Sequence, residues 1–269
     1  MISSWLVLPA VSMLSTLVLF FGAVAALLVL LSFGPGTGPV VRSFAGVAPP
    51  FVGTVAVILA VLLGFLANDI WDRERDAAAA VRAEADSLLS LTALAATFDL
   101  PREPLAGVVR NYAETVVTKE WPSMAEGDSA PAAEFALDRL LKTIARLDLS
   151  AAGNGDLRRL LLDAGLAVRA ARNRRLDLSR NESEQVKWLM VLALAVTSQI
   201  AVAIVHLDRM RAQIAALMIW TSGLIPVLSL LALHDTPFAS PFASPFAIAP
   251  DPITHILKEI GGPGMPGAK

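Results

Sequence analysis

Residues 51–80 read FVGTVAVILAVLLGFLANDIWDRERDAAAA. From Phe51 to Ala67 no side chain is charged. At about 1.5 Å of rise per residue, such a run covers most of a hydrocarbon core roughly 30 Å thick. The polar stretch Asn68–Asp76 follows, but it holds no Gly or Pro, and four alanines come after it. Nothing there stops a helix. The pattern therefore predicts one helix that begins near Phe51, leaves the membrane and continues in water toward Phe98. Trp71 falls at the boundary, where an amphipathic indole is favoured.

The rest of the chain divides in the same way. Of its 269 residues 55% are hydrophobic and the mean hydropathy is +0.61, whereas soluble domains are roughly 45–50% apolar. The excess lies in two blocks, one before Ile70 and one after Lys187, with the charges between them. A bilayer imposes that separation, because a charge at its centre costs roughly 2.5–3.5 kcal/mol on insertion scales. The expected fold is an all-α integral membrane protein. Four transmembrane helices carry a cytoplasmic helical bundle between the second and the third. The parts are 1–71 (membrane helices one and two), 72–186 (the helical insert), 187–234 (membrane helices three and four) and 235–269 (a Pro/Phe-rich tail).

Local signals set the expected elements. Helix one runs from Trp5 to Leu31. No Lys or Arg precedes it, and it exceeds a signal peptide's core of about 7–15 residues, so it reads as a retained membrane helix. Phe33–Pro39 is a Gly/Pro loop. In the insert, Val81, Leu88, Leu91, Ala95 and Phe98 form an apolar helical stripe. Asp99 and Pro101 mark a helix start, and that helix is expected to end at Glu120, before Trp121-Pro122. Met124–Ala130 reads as a loop, Pro131–Leu147 as a helix and Ser150–Gly155 as a turn. A long helix then carries Leu157, Leu160, Leu161, Ala164, Val168 and Ala171 on one face. Its Arg172, Arg174 and Arg175 read as a solvated basic face, or else as a contact for anionic lipid.

Ser179–Glu184 is either a kink or a new start capped by Ser183. Membrane helix three covers Val186–Leu207 and helix four Ala212–Leu233, with Pro226 inside it. Thr197, Ser198 and Gln199 sit at membrane depth and are expected to hydrogen-bond between helices. In the tail, Pro237, Pro241 and Pro245 repeat every four residues. That spacing predicts an extended segment with Phe238, Phe242 and Phe246 laid against protein or headgroups. Gly261–Lys269 reads as disordered.

Sixteen of the 22 Lys and Arg lie in the insert, and Lys187 stands at its end. The positive-inside rule then puts the insert and both termini in the cytoplasm. A formal charge of −2 supplies no basic field for nucleic acid. The chain has no cysteine, which removes thiol chemistry and thiolate metal sites. His206, His234 and His255 stand apart, and no catalytic motif is present. No loop has the oxygen-ligand density of a calcium site. The sequence therefore points to no enzyme, catalytic residue, cofactor or metal.

Function enters through the second membrane helix. Ile58, Leu62, Phe65, Leu66 and Asp69 follow one another at steps of three and four, and Asp72 and Asp76 continue that side. An apolar constriction leading to carboxylate rings suits a pore that gates by dewetting and selects by sign, here leaning toward cations. The same stripe also suits packing against another helix or lipid. The carboxylates also suit pairing along the helix, as in Asp69 with Arg73, with Arg73 and Arg75 relieving Asp72 and Asp76.

A set of motifs adds to this. Leu63-Gly64-Phe65 runs into Trp71-Asp72-Arg73. Ala77, Ala80, Glu84-Ala85, Leu88 and Tyr112 follow, then Glu120-Trp121-Pro122, then Asp235-Thr236-Pro237-Phe238. Together they resemble the bacterial bestrophin-like membrane family, from helix two to about Pro252. After helix four the chain has Thr236 and Ala239-Ser240 where that family's pattern resembles Asp-Arg-Pro-Phe-Ser-Gly. The resemblance reaches more distantly to bestrophin channels, which are pentamers with four membrane helices per subunit. It implies a homo-oligomer in the bacterial inner membrane, with helix two lining an axial pore for inorganic ions. Ile58, Leu62, Phe65 and Leu66 would form the neck. The alternative is a non-conducting membrane scaffold or accessory subunit that docks a protein partner through the insert or the Phe-rich tail. A secondary transporter fits less well, since no paired, broken membrane helices or inverted repeats occur.

Overall fold

The computed structural model describes residues 10–46, 50–98, 100, 102–147, 155–180, 185–239 and 244–261. The described elements are helical throughout: α1 Ala10–Phe33, α2 Gly38–Arg42, α3 Pro50–Thr97, α4 Arg102–Thr115, a π-helical turn Val116–Glu120, α5 Trp121–Ala125, α6 Pro131–Arg146, α7 Gly155–Ser179, α8 Gln185–Val205, α9 Met210–His234 and α10 Asp251–Gly261. Four of them, α1, α3, α8 and α9, are long and apolar enough to cross a membrane. The chain forms two compact units. The continuous 48-residue α3 contributes Pro50–Asp72 to the first and Arg73–Thr97 to the second.

The first unit comprises residues 1–72, 181–236 and 241–246. Its core joins Met13, Leu17 and Phe21 of α1, Leu59, Leu66 and Ile70 of α3, Trp188 and Val191 of α8, and Leu224, Leu228 and Leu231 of α9. With apolar lipid as the alternative neighbour, specific polar links add to this packing. Gln199 Nε2 donates to Thr221 Oγ1 at 2.8 Å and to the Phe21 carbonyl at 3.3 Å. Gln213 Nε2 donates to Ser32 Oγ at 3.0 Å and to the Ala203 carbonyl at 2.9 Å. Thr197 and Ser198, expected to bond across helices, instead donate to carbonyls one turn back, Ala193 and Leu194. Trp188 Nε1 donates to the buried Asp235 Oδ2 at 3.0 Å just past the end of α9.

The second unit comprises residues 73–180, 237–240 and 247–269. The stripe Ala77, Val81, Ala85, Leu88, Leu91 and Ala95 of α3 is buried with Leu105, Val109 and Tyr112 of α4, Leu137, Leu140 and Ile144 of α6, and Leu157, Leu161 and Val168 of α7. Phe238 and the α10 residues Ile253 and Ile256 complete this core.

Several expectations need correction. The segment Phe33–Pro39 is not all loop, because α2 starts at Gly38. The helix does not end before Trp121-Pro122. The Trp121 N–H bonds the Val116 carbonyl five residues back, and this wider turn seats the proline at the start of α5, where its missing N–H costs little. Leu160 is exposed, off the buried face of α7. The tail is not simply extended. It turns at Phe238 and Phe246, then forms α10, whose Ile253 and Ile256 are fully buried. Phe238 meets Trp121 edge-on at 5.6 Å, and Phe246 stacks on His234 at 4.1 Å. Trp5–Pro9, Asp99, Pro101, the turn from 148 to 154, Ser183, Phe242 and residues 262–269 lie outside the described residues.

Candidate functional site

The membrane part of α3 has two unlike sides. Val55, Leu59, Leu66 and Ile70 are buried against the first unit's other helices. The opposite stripe is uncovered within the chain, with Ile58 53%, Val61 52% and Phe65 67% exposed. Leu62 is half-buried at its margin. The sequence placed Leu66 with the stripe, but it is 2% exposed. A step of eight residues from Ile58 turns a 3.6-residue helix about 80°, which carries Leu66 onto the packed side.

Asp69 and Asp72 continue the uncovered stripe. Asp69 is exposed, and its Oδ2 accepts from Lys187 Nζ of α8 at 2.6 Å. The sequence reading looked for a partner along the helix, Arg73, and did not foresee this one on α8. Asp72 Oδ2 accepts from Asn68 Nδ2 at 2.8 Å, one turn back. Asp76, in the second unit, pairs with Arg174 Nη2 of α7 at 2.5 Å.

A second constellation lies inside the second unit, and the sequence reading missed it. The helix α3 supplies Glu84, α4 supplies Tyr112, the π-helical turn ends on Glu120, and α7 supplies Arg172 and Arg175. Glu84, Glu120, Tyr112 and Arg175 are fully buried and Arg172 nearly so. Arg175 bridges both carboxylates, with Nε to Glu84 Oε2 at 2.7 Å and Nη2 to Glu120 Oε2 at 2.8 Å. Arg172 Nη2 meets Glu120 Oε1 at 2.5 Å. The Tyr112 hydroxyl donates to Glu84 Oε1 at 2.6 Å. The Arg175 guanidinium also lies over the Trp121 ring, 5.4 Å from its centre.

Two cations face two anions, so the cluster is neutral as a whole, which is the condition for burying charge at all. Burial alone would lower the Arg175 pKa, but the Glu84 carboxylate and its hydrogen bonds, with Tyr112 and Glu120, hold it above the ordinary arginine value. Arg172 is raised likewise against the pull of burial, by its hydrogen bond to Glu120 and that carboxylate's charge. Burial, then the adjacent Glu84 charge, push the Tyr112 hydroxyl well above its usual value. Every named partner is engaged within the cluster, so its chemistry is cross-linking of elements. The expected solvated face of Arg172 and Arg175 is thus corrected; of the three arginines only Arg174 is exposed. Among the described residues no group of side chains could hold a metal ion.

A bestrophin-like domain is recognised over residues 6–253. The chain belongs to the bestrophin-like family. Two solved structures share the fold of this bestrophin-like protein. One is a crystal structure of a membrane protein carrying a point mutation, at 12% identity and a TM-score of 0.67, covering 94% of this chain and 100% of its own. The other is a point mutant of a bacterial bestrophin homologue from Klebsiella pneumoniae, at 12% identity and a TM-score of 0.66, covering 90% and 99%. No curated protein matches the sequence. With its four apolar helices, this bestrophin-like chain is a multi-pass membrane protein. The motif residues Glu84, Tyr112 and Glu120, quoted in the sequence as marks of the resemblance, are the ones gathered around Arg175.

Proposed function

We propose that this bestrophin-like protein is a homo-oligomeric ion channel, pentameric, in which the membrane part of α3 lines an axial pore and ions pass down their gradient. The observation that carries the reading is the division of α3. One side packs within the chain. The other presents Ile58, Val61 and Phe65, uncovered, and leads without a break to Asp69 and Asp72. Repeated around an axis, large apolar side chains form a constriction that closes by dewetting, and charges at its mouth tune which ions enter. The lining is Ile58, Leu62 and Phe65; Leu66 serves packing. Asp69 is neutralised by Lys187, so selectivity by sign rests on the balance of that pair together with Asp72 and Asp76.

The test is current through planar bilayers containing the purified protein, in asymmetric salt. Phe65→Ala is expected to raise conductance. Asp69→Asn removes a negative charge beside Lys187 and should move the reversal potential toward the anion value; Lys187→Gln should move it toward the cation value. An intact oligomer that never conducts, even with Phe65 shortened, would overturn the channel and leave the scaffold reading.

A further inference from the structure

The side of α3 opposite Phe65 borders an apolar groove of about 570 Å³, shared with α8 and α9. Ala60 and Leu63 of α3, the His206 ring just past α8, and Ala216, Gly223 and Val227 of α9 line it. Small residues make the space: a Cβ added at Gly223 would meet nothing within 4 Å. Along α9 the lining runs from Ala216 to Val227, about 16 Å at the helical rise. That length is close to one leaflet of hydrocarbon, about half of a 30 Å core. All three helices are membrane-capable, so the medium at this depth is acyl chain.

The groove has a polar end. His206 bonds the Val202 carbonyl through Nδ1, which leaves Nε2 for a ligand. Arg209 and Arg211 follow, at most about 11 Å and 19 Å further along the chain. Both guanidinium-bearing residues are exposed, and neither forms an ion pair among the described residues. Asp208, also exposed, leaves this turn with one net positive charge.

We propose that this groove is a binding site for an anionic phospholipid, with one acyl chain laid along Ala60, Ala216 and Gly223 and the phosphate held by Arg209 with His206 and Arg211. An apolar slot of one-leaflet length, with His206 in its lining and two exposed arginines within five residues of it along the chain, matches that molecule in both shape and charge. The site does not depend on whether the protein conducts.

The experiment is native mass spectrometry of the intact protein in detergent, titrated with phosphatidylglycerol or phosphatidylcholine of the same acyl composition. Wild type is expected to retain phosphatidylglycerol over phosphatidylcholine by roughly fivefold or more, given the gain per basic side chain near lipid phosphate. The exposed pair Arg209→Gln and Arg211→Gln should abolish that preference without altering thermal unfolding. Gly223→Leu, which projects into open space, should reduce retention of both lipids while the oligomer stays intact. Equal retention of the two lipids by wild type overturns the proposal. So does a Gly223→Leu variant that loses its oligomeric state with lipid retention unchanged, which would assign the groove to a neighbouring subunit.

Discussion

Arg175 has three kinds of partner at once: the Glu84 and Glu120 carboxylates, the Met124 sulfur and the face of Trp121. Removing it leaves two buried carboxylates short of compensation. Arg175→Ala should therefore lower the unfolding free energy by about 3–5 kcal/mol, read by chemical denaturation in detergent. Arg175→Met combined with Glu84→Gln should lose less than Arg175→Ala alone, because the uncompensated charge goes with its partner. Tyr112 gives a spectroscopic reading of the same cluster, since it is the only tyrosine. Its folded pKa lies above the ordinary value near 10, so the folded state favours the protonated hydroxyl. That contribution to stability is complete below about pH 10 and is lost as pH rises through the folded pKa. Tyrosinate absorbance should thus be absent from native protein at about pH 10 and appear on denaturation at that pH. Native protein half-ionised near pH 10 would contradict the buried hydrogen bond. The charges were partly legible: Glu84 falls between Val81 and Ala85 on an apolar stripe, and Arg172 and Arg175 extend the stripe of Val168. Their partners were not, because Glu120 lies 52 and 55 residues from the two arginines.

At the scale of elements, α6 and α7 approach closely at Gly165. A Cβ there would stand 2.8 Å from Leu141 Cδ2 and 3.0 Å from Ile144 Cδ1. Gly165→Val should cost about 1–3 kcal/mol through overpacking. Gly107→Ala on α4, where a Cβ meets nothing within 4 Å, should be neutral or stabilising by up to about 1 kcal/mol. Equal effects of the two substitutions on the denaturation midpoint would remove the packing argument. The long α3 was legible because no breaker interrupts it. The C-terminal helix α10 had its signals too: Asp251 and Pro252 open it, and Ile253, Ile256, Leu257 and Ile260 follow at helical spacing. The Pro-Phe-Ala repeat beside it drew the whole tail toward an extended reading. The π-helical turn had no local signal beyond a proline, which marks helix ends as often as it marks a helix's first turn.

For the whole molecule, the proposed axial position of α3 makes a geometric prediction that the cysteine-free sequence allows to be tested cleanly. Phe65→Cys, on the uncovered stripe, should form disulfide-linked dimers on mild oxidation in the membrane. Leu19→Cys on α1 is equally exposed, at 72%, and should not, if its side faces lipid. Cross-linking at Leu19 and none at Phe65 would move the subunit contact from α3 to α1.

The sequence by itself determined the class of molecule. Four apolar runs and a charged middle can satisfy backbone and side chains in a bilayer only as helices, and that information is contained in composition and order. It also determined that α3 crosses from apolar to polar surroundings as one helix, since helix continuation depends on residues a few positions apart. Only the tertiary structure decided which side of α3 is used within the chain. Leu66 and Phe65 are neighbours of like hydrophobicity, and only the packing of α1, α8 and α9 distinguishes them. The partners of the buried charges were decided in the same way. A carboxylate and a guanidinium far apart in the chain become a neutral pair only when several helices bring them together, and no local spacing encodes that meeting.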